Sequence, residues 1–405
     1  MAVRQAHPRP ATIQAIHMMK TALWLASWYP NKLVPFDGDF IQRHAKATAL
    51  VQPVHVVHVV KDAQGLVCQR LSIEENQNGP LRETIVYYKP HLTGWNRLDQ
   101  LISFFTYYAV YRRYLNNLIK TEGKPLIVHL HVVMRAGLLA LWLKRKWKLP
   151  YVVTEHWTGY ERASQDNYFQ KNPFFRRATK KILQQAALLL PVSRFLGEAI
   201  TQQVQPVPYK VVANVTDTSL FSYTPYRPPV FRFIHVSSMS YQKNIPGLLQ
   251  VLKKLSQLVV NWECMMVGPA EDDLKRYGQE LGLQQQLIWT GELSYSDVAC
   301  RMQEASAFVL FSRYETFSCV LIEAACCGLP VIAPRTGGIP ENIPPWAGQL
   351  IEPGSEEALL QAMHGVMEDY DRYDKKKISE RAAGLFNYKK IGREIADIYG
   401  SVLAL

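Results

Sequence analysis

Short runs of apolar residues, each followed by a segment with helical spacing, recur along the whole chain. The runs are continuously apolar rather than alternating, which is typical of parallel strands covered on both faces. The predicted strands are residues 21–27, 54–60, 126–132, 151–154 and 188–192 in the first half, and 231–236, 262–267, 287–290, 307–311 and 330–333 in the second. The alternation of strands and helices predicts an α/β fold with two doubly wound domains.

A proline-rich segment separates the two series of strands. Residues 206–230 contain five prolines and are predicted to be a linker. The predicted domains are then residues 20–205 and residues 231–386. Residues 387–405 are predicted to form an amphipathic C-terminal helix that packs back on the first domain, and residues 1–19 a disordered tail.

Charge is divided unevenly between the two halves of the 405 residues. Residues 1–205 carry 27 Lys+Arg against 12 Asp+Glu, whereas the rest of the chain carries 19 against 22. The first half should therefore attract an anionic surface, ligand or polymer. Nucleic-acid binding is not expected, because no known recognition module is present.

Cysteine usage and hydropathy favour a cytoplasmic location. The six cysteines form no Cys-x-x-Cys pair and have no metal-ligand spacing with histidine, so reduced thiols are expected. No apolar run approaches the roughly 18 residues that a membrane-spanning helix needs.

The strongest functional signal lies in residues 307–325. A strand is predicted to end near Phe311, a loop carries Glu315, and a helix begins around Ser318, a residue type that favours N-caps. The free N–H groups at that helix start favour an anion, and Glu323 lies about a turn and a half further on. Two glutamates alone are more often solvated surface charges. In this setting they are expected to hydrogen-bond sugar hydroxyls on either side of a phosphate.

This segment resembles the donor site of the retaining glycosyltransferases of family 4 (glycosyl transferases group 1), which have the GT-B fold. That fold consists of two Rossmann-like domains facing each other across a cleft. The family signature is two glutamates separated by seven residues, matched here by Glu315 and Glu323. The resemblance implies that Glu315 contacts the donor sugar and that Glu323 binds the ribose. It further implies that backbone amides hold the diphosphate at Phe317, Ser318, Cys319 and Val320.

A second strand–loop–helix segment, residues 233–246, places Lys243 before a helix predicted to start near Asn244. The resemblance implies that Lys243 neutralises the leaving diphosphate and that Asn244 contacts the donor. The family usually carries an arginine five residues before this lysine, and this chain has Ser238. Neutralisation is then expected to rest on Lys243, on helix dipoles and on a basic residue of the first half such as Arg43.

Three glycines follow predicted strands and are candidate donor contacts. Gly268 and Gly291 resemble the places where the family packs and hydrogen-bonds the nucleobase, largely through backbone. Gly38 permits a close backbone approach, and a helix is predicted to start near Asp39. The segment around Gly38 and Asp39 resembles the family's first loop, which meets the donor diphosphate. A purely structural turn with an aspartate N-cap is the other interpretation.

Histidines follow two predicted strands of the first half. His156 is preceded by Glu155, which is expected to orient it. A lone histidine is more often structural, but Thr-x-His resembles a family position beside the donor sugar. This implies a role for His156 in transition-state stabilisation or acceptor placement. His129 and His131 share one strand face, but they lack a third ligand with suitable spacing. No metal or other cofactor is therefore expected.

Two predicted helices of the first half are both basic and aromatic. Residues 95–120 contain Phe104, Phe105, Tyr107, Tyr108 and Tyr111 with Arg112 and Arg113, and residues 173–185 contain Phe174, Phe175 and four basic residues. One interpretation is peripheral contact with the anionic inner face of the plasma membrane, where a lipid-linked acceptor would reside. The other is an amphipathic core helix with a solvated basic face.

The sequence thus predicts a retaining hexosyltransferase. Its expected partners are a UDP- or GDP-linked sugar as donor and a glycan or lipid-linked acceptor, in the synthesis of cell-surface polysaccharide or glycolipid. A sugar-nucleotide epimerase or hydrolase on the same fold is one alternative. A non-catalytic protein that binds the nucleotide sugar is another, which the serine at position 238 favours.

Overall fold

The computed structural model describes residues 20–91 and 93–404. The predicted tail, residues 1–19, lies outside the described residues. The described residues form two largely parallel sheets flanked by helices. The α/β fold with two Rossmann-like units is therefore confirmed.

The first sheet has seven strands in the order β3-β4-β2-β1-β5-β6-β7. Their bounds are β1 (Ala22–Ala26), β2 (Val54–Lys61), β3 (Leu71–Asn78), β4 (Leu81–Tyr88), β5 (Val128–His131), β6 (Tyr151–Glu155) and β7 (Leu188–Pro191). All five predicted strands are present, with ends that shift by at most two residues. The hairpin of β3 and β4 was not predicted. Its strand β3 runs antiparallel to β4 at the sheet edge and is mostly exposed.

Within the described residues, five α-helices belong to this first unit. They are α1 (Asp39–Ala49), α2 (Asn96–Glu122), α3 (Gly137–Trp147), α4 (Pro173–Gln185) and α5 (Arg194–Gln203). Helix α1 begins at the predicted residue, Asp39. The aromatic side chains of the basic helices α2 and α4 differ in burial. Tyr108 and Tyr111 are buried, whereas Phe105 and Phe174 are exposed.

The second sheet has six parallel strands in the order β10-β9-β8-β11-β12-β13. The bounds are β8 (Phe231–Val236), β9 (Trp262–Val267), β10 (Leu287–Gly291), β11 (Ala307–Val309), β12 (Val331–Pro334) and β13 (Gly348–Ile351). Its helices are α6 (Ile245–Leu258), α7 (Asp272–Glu280), α8 (Tyr295–Gln303), α9 (Cys319–Cys326), α10 (Ile339–Asn342), α11 (Glu356–Glu368) and α12 (Lys375–Phe386). The five predicted strands are again present, and only β13 was missed.

The last helix, α13 (Tyr388–Leu403), returns to the first unit. The Asn387 side chain caps its N-terminus by accepting from the Lys390 N–H at 2.9 Å. Gly392 packs so closely on α1 that a Cβ there would lie 2.0 Å from the Ala47 carbonyl oxygen. The α13 helix therefore fastens the end of the chain to the first unit.

The structure also describes the state of the cysteines and the character of the helices. All six cysteines are free, and four of them are buried. Among the described residues, no helix has both the length and the apolar character needed to cross a membrane.

The topology determines where a ligand can bind. In a doubly wound sheet, ligands bind at the carboxyl ends of the strands. The segments that follow β1 and β6 in the first sheet meet the segment that follows β11 in the second, through Arg43–Glu323 and Thr316–His156 contacts. The candidate site residues therefore converge on one cleft between the two units.

Candidate functional site

Glu315 is buried in the loop between β11 and α9, with 4% of its surface exposed. Its Oε1 atom accepts hydrogen bonds from Lys243 Nζ at 2.5 Å and from Ser312 Oγ at 2.9 Å. The structure therefore brings together two residues from separate predicted segments. The paired ammonium offsets the cost of burying this carboxylate.

Two successive glycines hold the Glu315 loop in place. A Cβ on Gly337 would lie 1.6 Å from the Glu315 carbonyl oxygen, and one on Gly338 would lie 2.1 Å from that of Thr316. The φ angle of Gly337 is +54°, a conformation that side chains rarely adopt. The Thr-Gly-Gly sequence after β12 is thus required for the close approach that positions Glu315.

Helix α9 begins at Cys319, and its N-cap residue is Ser318 with φ of +66°. The predicted side-chain cap is wrong, because the Ser318 hydroxyl is buried and bonds to nothing among the described residues. Phe317 is also buried, and its ring packs against Phe386 at 6.0 Å. The Phe317 side chain is therefore part of the core, and contact between its backbone and a donor stays a prediction.

Glu323 lies on α9 and is tied across the cleft to α1. Its Oε1 atom accepts from Arg43 Nη1 at 3.0 Å and from the Tyr295 hydroxyl at 3.0 Å. Arg43 Nη1 also lies 3.2 Å from Asp39 Oδ2, and its guanidinium stacks over the Tyr295 ring. Burial raises the pKa of Glu323, and the charge of Arg43 opposes that rise.

The role suggested for Arg43 needs a correction. The sequence offered it as a cation that would neutralise the donor diphosphate, but its guanidinium is paired with two carboxylates, on Glu323 and Asp39. Asp39 in turn uses its carboxylate to bind Arg43. Arg43 and Asp39 therefore lie at the cleft, where Arg43 links helix α1 of the first unit to Glu323 of the second.

Both glutamates are anchored through one oxygen. In Glu315 and in Glu323, Oε1 takes the hydrogen bonds just described, and no donor among the described residues reaches Oε2. An anchored carboxylate with one free oxygen is preorganised to accept a hydrogen bond from a ligand hydroxyl.

A cavity of about 470 Å³ lies beside this network. Its walls come from both units: Pro35 and Arg43 from the first, Cys319, Val320 and Glu323 from the second. Burial raises the pKa of the Cys319 thiol to about 12, so the thiol is neutral. The cavity therefore meets the start of helix α9 and the inward carboxylate of Glu323.

The loop after β8 ends in a short 3₁₀ turn that carries Lys243. Asn244 follows with φ of +52°, and its Oδ1 atom accepts from Arg313 Nη2 at 2.5 Å. Asn244 thus couples its loop to the Glu315 loop. Ser238 is exposed and bonds weakly to Ser240 Oγ at 3.3 Å, so it supplies no cation.

Gly268 and Gly291 end neighbouring strands and contact each other. The Gly268 N–H donates to the Gly291 carbonyl at 2.9 Å. A Cβ on Gly268 would lie 1.9 Å from the Ser237 carbonyl oxygen, whereas the space beside Gly291 is open. The packing explains Gly268 without a ligand, and Gly291 leaves room for one.

Gly38 stands at the start of α1 with φ of +65°. A Cβ there would lie 2.5 Å from the Trp28 carbonyl carbon. The close approach that the sequence predicted is therefore made to the chain's own first loop. Direct contact between Gly38 and a donor stays a prediction.

His156 is buried just beyond β6 at the wall of the cleft. Its carbonyl accepts from Thr316 Oγ1 at 3.1 Å, which places it next to the Glu315 loop. Glu155 orients the backbone rather than the imidazole, because its Oε1 accepts from the N–H groups of His156 and Trp157 at 3.0 Å. The predicted Glu155–imidazole contact is therefore wrong.

Two acidic residues of the site escaped the sequence analysis. Burial, and secondly the charge of Glu315, raise the pKa of Glu161 to about 7, and its Oε2 is buried without a partner among the described residues. Glu341 accepts from the N–H groups of Arg194 and Phe195 at 2.7 and 2.8 Å. The Glu341 carboxylate thus caps helix α5 of the opposite unit. Neither residue has a local sequence signal, since both act across the cleft.

Histidines also cluster behind this wall. One ring nitrogen from each of His44, His131 and His156 lies within 4.8 Å of the other two. His129 is excluded from the cluster's centre, because its nitrogens bond Tyr399 and Thr154 at 2.6 Å. The sequence had paired His129 with His131.

Comparisons with known proteins agree with this architecture. The family described as "Glycosyl transferases group 1" matches residues 227–383, and the family described as "Glycosyl transferase 4-like domain" matches residues 42–215. The two matches cover the second and the first unit of the cleft.

Individual proteins resemble the chain at low identity. An uncharacterized glycosyltransferase of Methanocaldococcus jannaschii is 24% identical over 72% of this chain and 76% of its own length. The alpha-monoglucosyldiacylglycerol synthase of Streptococcus pneumoniae is 27% identical over 51% of each chain, so the match spans about half of that relative. Anabaena HepE, solved in complex with UDP, is 18% identical with a TM-score of 0.71, over 95% of this chain and 100% of its own.

The Arg43–Glu323 pair generates a first prediction. Arg43→Met should destabilise the closed cleft by about 3–5 kcal/mol, because it leaves a buried carboxylate without its cation. The double variant Arg43→Met/Glu323→Gln should recover most of that loss. Urea unfolding measures the stability of the single and the double variant. Small-angle scattering should show a larger radius of gyration for the single variant.

Arg232→Met is the matched control, since it removes an ion pair with Glu263 that lies within one sheet. It should leave the radius of gyration unchanged. Additive effects of the Arg43 and Glu323 changes would contradict a coupled pair.

Proposed function

We propose that this chain, which belongs to the GT-B glycosyltransferases of group 1, transfers a sugar from a nucleoside diphosphate sugar to an acceptor with retention of configuration. The observation that carries the proposal is the pair of buried glutamates on either side of the α9 N-terminus. Each has one anchored oxygen and one free oxygen. This arrangement suits a ligand with hydroxyls flanking an anionic centre.

The donor is proposed to lie along the cleft. Its diphosphate meets the N–H groups at the start of α9, around Ser318 and Cys319, where the helix dipole favours anions. The ribose hydroxyls meet Glu323, and the sugar hydroxyls meet Glu315. The structural neighbour HepE supports this choice of ligand class, since it has been solved with UDP and with UDP-glucose. UDP- and GDP-linked sugars are both candidates.

Lys243 is proposed to stabilise the leaving diphosphate. Its ammonium lies 2.5 Å from Glu315 Oε1, so it is oriented beside the proposed sugar position. As the bond between the sugar and the phosphate breaks, negative charge develops on the diphosphate, and a fixed cation stabilises that charge. The anomeric carbon meanwhile acquires oxocarbenium character.

The acceptor hydroxyl is proposed to enter from the first unit, on the face that the diphosphate leaves. Attack on that face retains the configuration, and the departing phosphate oxygen takes the hydroxyl proton. His156 lines this side of the cleft next to the Glu315 loop. Burial lowers the pKa of His156 well below its usual range, so its imidazole is neutral and acts by hydrogen bonding. This transfer step is proposed to need no metal at the diphosphate.

The acceptor is proposed to be lipid-linked. The first unit contains a second cavity, of about 670 Å³, lined by aromatic side chains such as Tyr107 and Phe175 and by Arg135. Residues 31–37 of the first loop contribute to both cavities. An apolar cavity with a basic group that adjoins the donor cleft suits a hydrocarbon chain bearing an anionic head group.

The rim of this cavity supports contact with a membrane. Helix α2 exposes Leu101 and Phe105 by 56% and 65%, and α4 exposes Phe174 beside them. Basic residues of α2 and α4 accompany these apolar side chains. Exposed apolar groups with neighbouring cations are typical of peripheral attachment to anionic bilayers. The S. pneumoniae relative is named for the synthesis of a glycolipid, monoglucosyldiacylglycerol.

Glu315→Gln tests the donor assignment. The change keeps the shape of the side chain and removes its charge, so sugar transfer should fall by about 10²–10³-fold. The rate is measured as UDP or GDP formed from the corresponding sugar nucleotide in the presence of acceptor. Circular dichroism checks the fold. Glu263→Gln, in the same sheet but outside the cleft, should keep full activity.

A fully active Glu315→Gln variant would contradict the site. Donor consumption by the natural chain without acceptor would instead favour the epimerase or hydrolase. Donor binding without any turnover, across acceptors, would favour the non-catalytic alternative.

Charged substitutions on α2 test the membrane contact. Leu101→Glu/Phe105→Glu should reduce sedimentation with vesicles containing anionic lipid by at least about tenfold, because two apolar contacts are lost and repulsion is added. Leu258→Glu/Val260→Glu is the matched control, since these apolar residues of the second unit are at least as exposed. Equal losses in the two variants, or no binding by the natural chain, would contradict the proposal.

A further inference from the structure

Three histidines from distant parts of the first unit converge on one point. His44 lies on α1, His131 ends β5, and His156 follows β6. One nitrogen from each ring lies within 4.8 Å of the other two. All three residues are buried, and His156 is the one nearest the cleft, with 7% of its surface exposed.

The ring nitrogens of this histidine cluster lack protein partners. Both nitrogens of His131, both of His156 and Nδ1 of His44 are buried without a hydrogen-bond partner among the described residues. A buried polar atom without a partner costs about 1–3 kcal/mol. Beside the Asn214 side chain, which contacts His156, these five atoms require a further partner, such as a bound ion or ordered water.

The sixth nitrogen determines how His44 is oriented. Its Nε2 lies 3.1 Å from the Ala213 carbonyl oxygen. Because a carbonyl only accepts, Nε2 carries the hydrogen and Nδ1 keeps its lone pair toward the cluster. A histidine that binds metal through one nitrogen and donates to a carbonyl through the other has this same arrangement.

The protonation state of the histidine cluster is also suitable. Burial lowers the pKa of His44 to about 4, and it lowers the pKa values of His131 and His156 well below their usual range. All three imidazoles are thus neutral at physiological pH, as metal coordination requires.

We propose that His44, His131 and His156 bind one divalent transition metal ion, with Zn²⁺ as the favoured ion. Zn²⁺ prefers imidazole nitrogen at about 2.0–2.1 Å, which places the ligand nitrogens about 3.4 Å apart. The separations in the structure reach 4.8 Å at most, so modest rotation of the rings completes the site. The fourth coordination position is left for water.

This metal site goes beyond the proposed sugar transfer. The ion would join α1, β5 and the segment after β6. Helix α1 also carries Arg43, and the segment after β6 forms part of the cleft wall. It would also fix the tautomer of His156. The proposed role of the ion is therefore to position His156. The diphosphate is proposed to bind at the start of α9 and beside Lys243.

Metal content of the full-length chain tests the proposal without any activity assay. Chain purified without chelator should contain about one equivalent of zinc, and chain stripped with chelator should regain it and melt at a higher temperature. Cobalt added to the stripped chain should give the visible absorption of tetrahedral nitrogen coordination. His44→Gln and His131→Asn should each reduce bound zinc at least about tenfold.

His55→Gln is the control, because His55 is buried in the same sheet and its Nε2 contacts Thr84. It should bind zinc like the natural chain. No stoichiometric metal and no zinc-dependent rise in melting temperature in the natural chain would overturn the proposal, whether or not sugar transfer is observed. Unchanged binding by both cluster variants would overturn the assignment of ligands.

Discussion

The cleft depends on one buried ion pair that crosses it. Arg43 on α1 and Glu323 on α9 bring opposite charges from the two units to 3.0 Å, with both side chains more than nine-tenths buried. Neither charge is tolerable alone in that environment, so each unit stabilises the other's charge only when the cleft is closed. Tyr295 adds a hydrogen bond to Glu323 and Asp39 adds a second ion pair to Arg43, whereas Arg43 Nε and Glu323 Oε2 have no protein partner among the described residues. The position of Glu323, and with it the shape of the 470 Å³ cavity, follows from this contact.

The rest of the site is built by close backbone packing around the carboxylates. Gly337 and Gly338 press the Glu315 loop against the start of α9, and Lys243 reaches Glu315 from the neighbouring strand. The chemistry proposed for the cleft therefore uses groups that are fixed before a donor arrives, which is how a protein stabilises developing charge at low reorganisation cost. The apolar cavity of the first unit shares its first loop with the donor cavity, so donor and acceptor can meet at one place.

Local patterns predicted the fold and the donor-binding elements, because buried parallel strands and helix starts are encoded by contiguous residues. Ten strands and the starts of α1 and α9 could be read in this way. Strand β3 was missed because its exposed, polar sequence has no apolar run, although Asn78-Gly79 before β4 is a hairpin turn signal. Contacts between distant residues left no such signal. Arg43 could not be assigned to Glu323, Glu341 to α5, or His44 to His131, since each pair meets only in the folded chain.

Nucleotide binding, measured by the shift in melting temperature, tests the central claim most directly. We expect one nucleoside diphosphate among UDP, GDP and ADP to raise the melting temperature strongly, since it binds only the folded chain. The corresponding nucleoside should have little effect, because it lacks the diphosphate that α9 and Lys243 are proposed to hold. Equal small shifts with nucleoside and diphosphate, or no shift with any of them, would contradict the account of the cleft as a nucleotide-sugar site.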